Sequence, residues 1–368
     1  MLRNGYVLYD ETVETIQPDE EAIGNRIVDS GRLASDKVFE KRGLAVRAAH
    51  AKGHGILKGE LIVDPDLPEH LHQGVFATPG MRYPIIVRFS TGLNDVRSDN
   101  VKAALGMAIK VLGVRGTKEL PDDISANQDF LLVNHPVYFA NVAAYEEIAK
   151  RLEHLPDLPD IFLIGAEAAA STFETVLTRF GLDAPVSVTA VADAGNNILG
   201  ETFWSMAALR FGDYIAKLSA APLSESVRRL RNVRAGRGDN VLRAIVSDFF
   251  KDNSAEYVLR AQLCTDLEKM PVEDASVEWP GGESDEEPRF WRLGRIVLPA
   301  HQQPNSPARQ HYGEDILSFT PWRCLAAHRP LGSIMRLRKK VYDISSADRH
   351  LRTGQPRTEP QDIRELPD

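Results

Sequence analysis

Cysteine is scarce in this chain: Cys264 and Cys324 are the two present among 368 residues. Two thiols so far apart make no disulfide framework, and without a CxxC pair or a Cys/His cluster they suggest no zinc site. They read as free thiols in a reducing compartment. Net positive charge is also missing. The 44 Lys and Arg are outnumbered by 52 Asp and Glu, giving a formal charge of -8, which argues against the basic footprint of a nucleic-acid-binding protein. Long apolar runs are absent as well. Stretches such as 161–170 contain a charge and fall short of the roughly 20 residues of a membrane span. The opening residues, Met1 to Glu11, place no apolar segment before the first acid, so no secretory signal is expected. Internal repeats and low-complexity tracts are lacking too. A soluble cytoplasmic protein, with no membrane span and no nucleic-acid partner, is the expectation.

What is present is enough for a sizeable core, with 43% hydrophobic and 26% charged residues. The length suits about two units of ~150 residues, or one large β-barrel domain with helical additions. Residues 1–40 are polar and acidic and read as an arm or helix, 41–352 as the main domain, and 353–368 as a Pro-rich tail. Short β-like runs separated by Gly, Pro, Asn and Asp cover 55–64, 83–91, 104–112 and 129–134. Helical periodicity follows at 143–155 and 159–180, with Gly181 as a C-cap. A second β-like set covers 210–221, 256–264 and 293–299, with 201–206 attached to the first of these and a helix at 241–251 after it. A Lys/Arg-rich helix is expected at 332–343. Strands without βαβ alternation favour an antiparallel sheet or barrel, so the fold class is α+β.

Four segments could carry chemistry. Arg47-Ala48-Ala49-His50-Ala51-Lys52-Gly53-His54-Gly55 joins two histidines and two glycines beside a strand, marking backbone that comes close to something. Arg88 and Ser90, two apart at a strand end, share one face. Asn134, in Val133-Asn134-His135-Pro136-Val137-Tyr138-Phe139, needs hydrogen-bond partners or a ligand if it is buried. Arg338 and Tyr342, four apart, stand one helical turn from each other. An arginine bonded to a tyrosine oxygen favours the phenolate, which can hold ferric iron. Taken singly, each segment has an ordinary alternative: a Gly turn with a surface histidine, a strand-end charge, an Asn-initiated turn, a solvated basic helix.

Taken together and in order, the segments resemble the haem catalase family. Arg47, His50, Ala51, Lys52 and Gly53 look like its distal R-x-x-H-A-K-G motif, and Arg88 to Thr91 like its R-F-S-T strand. Gly106-x-Ala108-x-Lys110 resembles the tail of its R-G-F-A-x-K stretch, Asn134 to Phe139 its N-x-P-x-F-F segment, and Arg338-x-x-x-Tyr342 its proximal R-x-x-x-Y. Trp279-Pro280 and Phe319-x-Pro321 are weaker echoes. The likeness runs from about residue 45 to 350.

The resemblance implies an eight-stranded antiparallel β-barrel with surrounding helices, holding haem b and acting on hydrogen peroxide or organic hydroperoxides. By it, His50 is the distal acid–base group, Ser90 orients the imidazole, and Asn134 bonds the peroxide. Tyr342 is the proximal iron ligand, with Arg338 keeping it anionic. Arg47, Arg88 and Arg349 match positions that neutralise the haem propionates, and Phe139 packs beside the distal channel. It also implies a homo-oligomer, dimer or tetramer.

Departures from the pattern matter too. Lys102-Ala103-Ala104-Leu105-Gly106 stands for the usual R-D-x-R-G, Ala49 for the valine before the distal histidine, Tyr138 for a phenylalanine, and Ile344 for the aspartate after the proximal tyrosine. Ala49 should open space above the haem, which suggests organic hydroperoxides as substrates and an organic reductant as partner. The alternative reading is a non-catalytic haem sensor or store on the same fold, which has no need of an acid–base group. A cofactor-free hydrolase using Ser90 and His50 lacks a G-x-S-x-G elbow.

Overall fold

A computed structural model of the chain describes residues 1–160, 195–281 and 290–368. Beyond Asp160, the helix expected at 159–180 lies outside the described residues.

A small hairpin, β1 (Leu2–Arg3) and β2 (Tyr6–Val7), precedes helix α1 (Glu20–Arg42). The barrel strands are β3 (Lys52–Val63), β4 (Arg82–Thr91), β5 (Leu105–Leu112), β6 (Asn127–Val133), β7 (Phe203–Trp204), β9 (Tyr214–Pro222), β10 (Ala255–Leu263) and β11 (Phe290–Leu298). They pair antiparallel in the order β10-β11-β3-β4-β5-β6-β7-β9, and β9 pairs back onto β10. The sheet is therefore a closed eight-stranded barrel, and closure removes the edges that an open sheet would expose. Strand β8 (Leu209–Phe211) hangs outside the ring as a hairpin on β9.

That hairpin corrects the single strand expected over 210–221. Phe211 pairs with Tyr214 across Gly212 and Asp213, and Gly212 takes φ +61, a left-handed value open to glycine at no steric cost. The apolar run on both sides hid the turn.

Alternation along the strands sets the two faces of the wall. Ile85, Val87 and Phe89 of β4, with Leu105, Met107 and Ile109 of β5 and Phe130 and Leu132 of β6, belong to the barrel core. The residues between them, Arg88, Ser90, Gly106, Ala108 and Leu131, point outward toward the helices. Both faces are covered, so the strands read as near-continuous apolar runs in sequence.

Three helices cover the outer wall near the site: α1, α2 (Val142–Leu152) and the C-terminal α4 (Ser333–Thr353). A further helix, α3 (Val241–Asp252), packs against β3. Helix α1 has Glu20 and Glu21 in its first turn and Lys41 and Arg42 in its last, each sign opposing the helix dipole, and ends on Gly43 at φ +67. Its Ile23 and Ile27 pack with Val142 and Ala149 of α2 and Leu337 of α4. Helix α4 runs ten residues past the expected end at 343. The continuing face is held by Arg349 and His350, 1% and 3% exposed, rather than by apolar residues, so hydrophobic periodicity fades before the helix stops.

The Pro-rich tail packs on the barrel. Leu366 is fully buried, and Glu359 reaches the buried Lys110 at 2.7 Å.

Candidate active site

Strand β3 enters the barrel through a bulge. Gly53 pairs with Ser90 but Gly55 with Phe89, so His54 is the extra residue. A bulge twists its strand and re-aims the chain before it. The loop ahead of it carries His50 at φ +57, a left-handed conformation that costs a residue with a Cβ about 1–2 kcal/mol. Three contacts hold it there. Ala48 N–H donates to Ser345 Oγ at 2.9 Å, Ala51 N–H to the Leu93 carbonyl at 2.9 Å, and Arg88 Nη2 to the His50 carbonyl at 3.0 Å.

The His50 ring lies with Nδ1 3.0 Å from Ser90 Oγ. Burial, helped by Arg88, Arg338 and Arg47, pushes its pKa down to about 3. The imidazole is therefore neutral near pH 7, with one nitrogen to donate and one to accept. Arg88 and Ser90 do share a strand face, and both meet His50 from it. His54 is a satisfied core histidine on one side, its Nε2 against Thr91 Oγ1, and fully buried.

Helix α4 supplies the facing group. Arg338 Nη2 donates to the Tyr342 oxygen at 2.9 Å, and its guanidinium carbon stands 5.1 Å from the Tyr342 ring centroid.

Two adjoining cavities join the groups. The inner one is lined by Arg47, His50, Arg88, Ser90, Arg338, Tyr342 and Arg349 among others. The outer one shares His50, Arg338 and Tyr342 and extends to α1 and α2. Phe139 lines the outer cavity, in ring contact with Tyr145 at 5.2 Å between centroids. Ala48 and Ala49 line both.

Asn134 lines neither cavity. Its Oδ1 accepts from Leu105 N–H at 2.7 Å, its own N–H donates to the Leu105 carbonyl at 2.9 Å, and its Nδ2 faces Glu201 at 3.4 Å. The buried amide expected from sequence has its partners, and they are the protein's own.

The arginine end holds a residue that no motif contains. Glu314, on a π-helical turn over Tyr312–Ile316, takes Arg47 Nη1 at 2.6 Å and Arg88 Nε and Nη2 at 3.1 and 2.8 Å. Arg349 donates to the Glu314 and Asp315 carbonyls at 2.7 and 2.6 Å. Burial works to raise the Glu314 carboxyl, but Arg88 and Arg47 overcome it and hold it at about 2. Glycine at 53 was the signal for it: a Cβ there would fall 2.1 Å from Glu314 Oε1.

The donor set fits a ferric haem at its ligand positions: a guanidinium-paired tyrosine on the helix and a neutral histidine on the barrel side, facing one cavity. At the arginine end, Arg349 Nε is buried without a hydrogen-bond partner, while Arg47 and Arg88 already share Glu314.

No family model matches the chain. It is 28% identical to a catalase of Ascaris suum over 144 residues, 39% of this chain but 26% of that protein, so the likeness spans about a quarter of the relative. Among solved structures, a fungal catalase superposes with a TM-score of 0.57 at 15% identity, covering 89% of this chain and 67% of that one. Catalase A from Saccharomyces cerevisiae gives 0.56 at 15% identity, covering 89% and 69%. Among the described residues no helix is long and apolar enough to cross a membrane. By its closed barrel and the order of its elements, the protein is catalase-like in fold.

Proposed function

We propose that the protein is a haem-dependent hydroperoxidase that decomposes hydrogen peroxide or reduces organic hydroperoxides. The observation that carries this reading is the pairing of His50 with Ser90 and of Tyr342 with Arg338 around one cavity.

Haem b would be held by the Tyr342 oxygen, with Arg338 keeping it anionic and Arg47, Arg88 and Arg349 near its carboxylates. The chemistry that haem supplies when bound is redox, accepting and returning the oxidising equivalents of the peroxide. The protein's part is proton handling and exclusion of water. His50, neutral at working pH, takes the proton from the near peroxide oxygen and returns it to the leaving oxygen, a task worth about 10²–10⁴ in rate. Ser90 fixes the ring at Nδ1, which leaves Nε2 for the substrate. With its amide engaged by Leu105 and Glu201, Asn134 is assigned to holding β5 and β6 in register beside the site, and the peroxide contact to His50.

Substrate breadth follows from the walls. Ala48 and Ala49 leave room beside His50, and the outer cavity is walled by apolar residues of α1 and α2 such as Ile27, Ala34 and Ile148. An apolar hydroperoxide gains from such burial, at about 25 cal/mol per Å², whereas hydrogen peroxide gains nothing. An organic reductant would use the same mouth. Assembly as a homo-oligomer agrees with exposed Leu33, Phe39 and Leu44 on and after α1.

The absorption spectrum of protein expressed with haem supply tests the reading, beside the Tyr342→Phe variant. A high-spin ferric spectrum of tyrosinate type, altered or lost in the variant, is expected. Folded protein that takes up no haem in either form would sink it. Rates on hydrogen peroxide and cumene hydroperoxide then decide breadth: strong preference for the former would remove the organic substrates.

A further inference from the structure

Glu314 is a charged side chain that the proposed chemistry does not use. It does not line the inner cavity, whereas both arginines that it binds do. It stands behind them. Its two oxygens engage Nε and Nη2 of Arg88 in a fork, the geometry that fixes a guanidinium most firmly. The same Arg88 Nη2 also donates to the His50 carbonyl at 3.0 Å. Arg47 Nε and Arg88 Nη1 take no part in these contacts.

The fold makes room for this carboxylate. Gly53, in the bulged start of β3, is bare where a Cβ would meet Glu314 Oε1 at 2.1 Å and Arg88 Nη2 at 3.2 Å. The π-helical turn that carries Glu314 is itself gripped by two arginines. Arg47 Nη2 binds the Gly313 and Leu317 carbonyls at 2.5 and 2.8 Å, and Arg349 Nη2 binds Leu317 at 3.0 Å.

We infer that Glu314 is a positioning residue for His50: by clamping Arg88 from behind, it fixes the guanidinium that holds the His50 carbonyl and keeps the imidazole in its left-handed loop. This rests on the reading of His50 as the acid–base group. Without the carboxylate, Arg88 is repelled by Arg47 and loses two of its anchors, and the His50 loop loses the firm backbone hold that Arg88 gives it.

The test uses full-length haem-loaded protein and a ligand that must shed a proton to bind. Hydrogen cyanide binds as the anion, its proton passing to His50, and binding is read as the shift of the haem band. Glu314→Gln is compared in the wild-type and His50→Ala backgrounds. Expected is a slowing of about tenfold in the first and none in the second, because the two changes remove one function. Carbon monoxide binding to the reduced protein, which moves no proton, should be unchanged. Equal slowing in both backgrounds, or of carbon monoxide as well, would overturn the link in favour of a purely structural role. Gly53→Ala serves if Glu314→Gln does not fold. Its methyl displaces the carboxylate without removing the charge, so it should give the same His50-dependent slowing, and a wild-type rate overturns the proposal. If haem uptake fails in the wild type, or His50→Ala leaves the cyanide rate unaltered, the reading of the site fails first and this proposal with it.

Discussion

Gly106 and His50 touch through an atom that is not there. A Cβ on Gly106 would stand 2.6 Å from both Cε1 and Nδ1 of the His50 ring, and 2.9 Å from Ser90 Oγ. The bare strand is what lets the imidazole lie flat on the barrel wall and reach Ser90. Gly106→Ala should therefore displace the ring rather than unfold the barrel. We expect a stability loss of about 1–3 kcal/mol, the range for overpacking, together with loss of most peroxide turnover. Urea unfolding alongside a turnover assay checks it; unchanged turnover would show that the ring position is not set here.

Removing the His50 imidazole and loosening it should differ in degree if it handles the proton as proposed. His50→Ala should cost about 10²–10⁴ in the rate of peroxide reaction. Ser90→Ala removes one hydrogen bond worth about 1 kcal/mol, so a loss of about fivefold is expected. Stopped-flow rates at matched haem content measure both. Equal losses would mean that Ser90 does more than orient the ring.

Acid should weaken the fold in a stated order. Burial holds His50 and His328 at about 3 in the folded chain, against 6.5 for a free histidine. The unfolded chain therefore takes up these protons first, and stability falls as pH drops from 6.5 toward 3, by up to about 1.4 kcal/mol per pH unit for each histidine. Glu314, held at about 2 against 4.5, adds to the loss below 4.5. Asp129, raised by its burial, opposes it. Urea titrations at neutral and mildly acidic pH should show this slope, and His328→Gln should flatten it. A slope indifferent to His328 would contradict the assignment.

Both thiols should be silent in the native protein. Cys264 and Cys324 are fully buried, and burial pushes the Cys264 thiol up to about 12 and the Cys324 thiol higher than usual. The thiolate is the reactive form. A disulfide reagent should label neither residue until denaturant is added; rapid native labelling would place one of them at an opening.

Much of the barrel was legible because its wall is buried on both faces, which leaves short apolar runs between turn residues. The runs at 83–91, 104–112 and 129–134 match strands within two residues. The hairpin at Gly212 and the last turns of α4 were not legible. In the first, apolar residues flank the two-residue Gly212-Asp213 turn closely on both sides, so it merged into one run. In the second, buried Arg349 and His350 take the place of an apolar stripe. The motif residues carried residue types and order, and with them the expectation of Arg88 and Ser90 on one face. For Asn134 only the fold reveals the partners, its Oδ1 accepting from Leu105 N–H and its Nδ2 facing Glu201.

Residue order alone determined an α+β chain of antiparallel strands, sheet or barrel, with helices around them, because strand alternation, turn residues and helical spacing are local properties; closure rests on the pairing of β9 with β10. The tertiary structure decided which groups share a cavity, and what each arginine holds. Glu314 lies 226 residues from Arg88 along the chain, and no local pattern reports a contact made across that distance. Charge partners, bare glycines and the neutral state of His50 depend on what packs against them, and only closing the barrel brings those partners together.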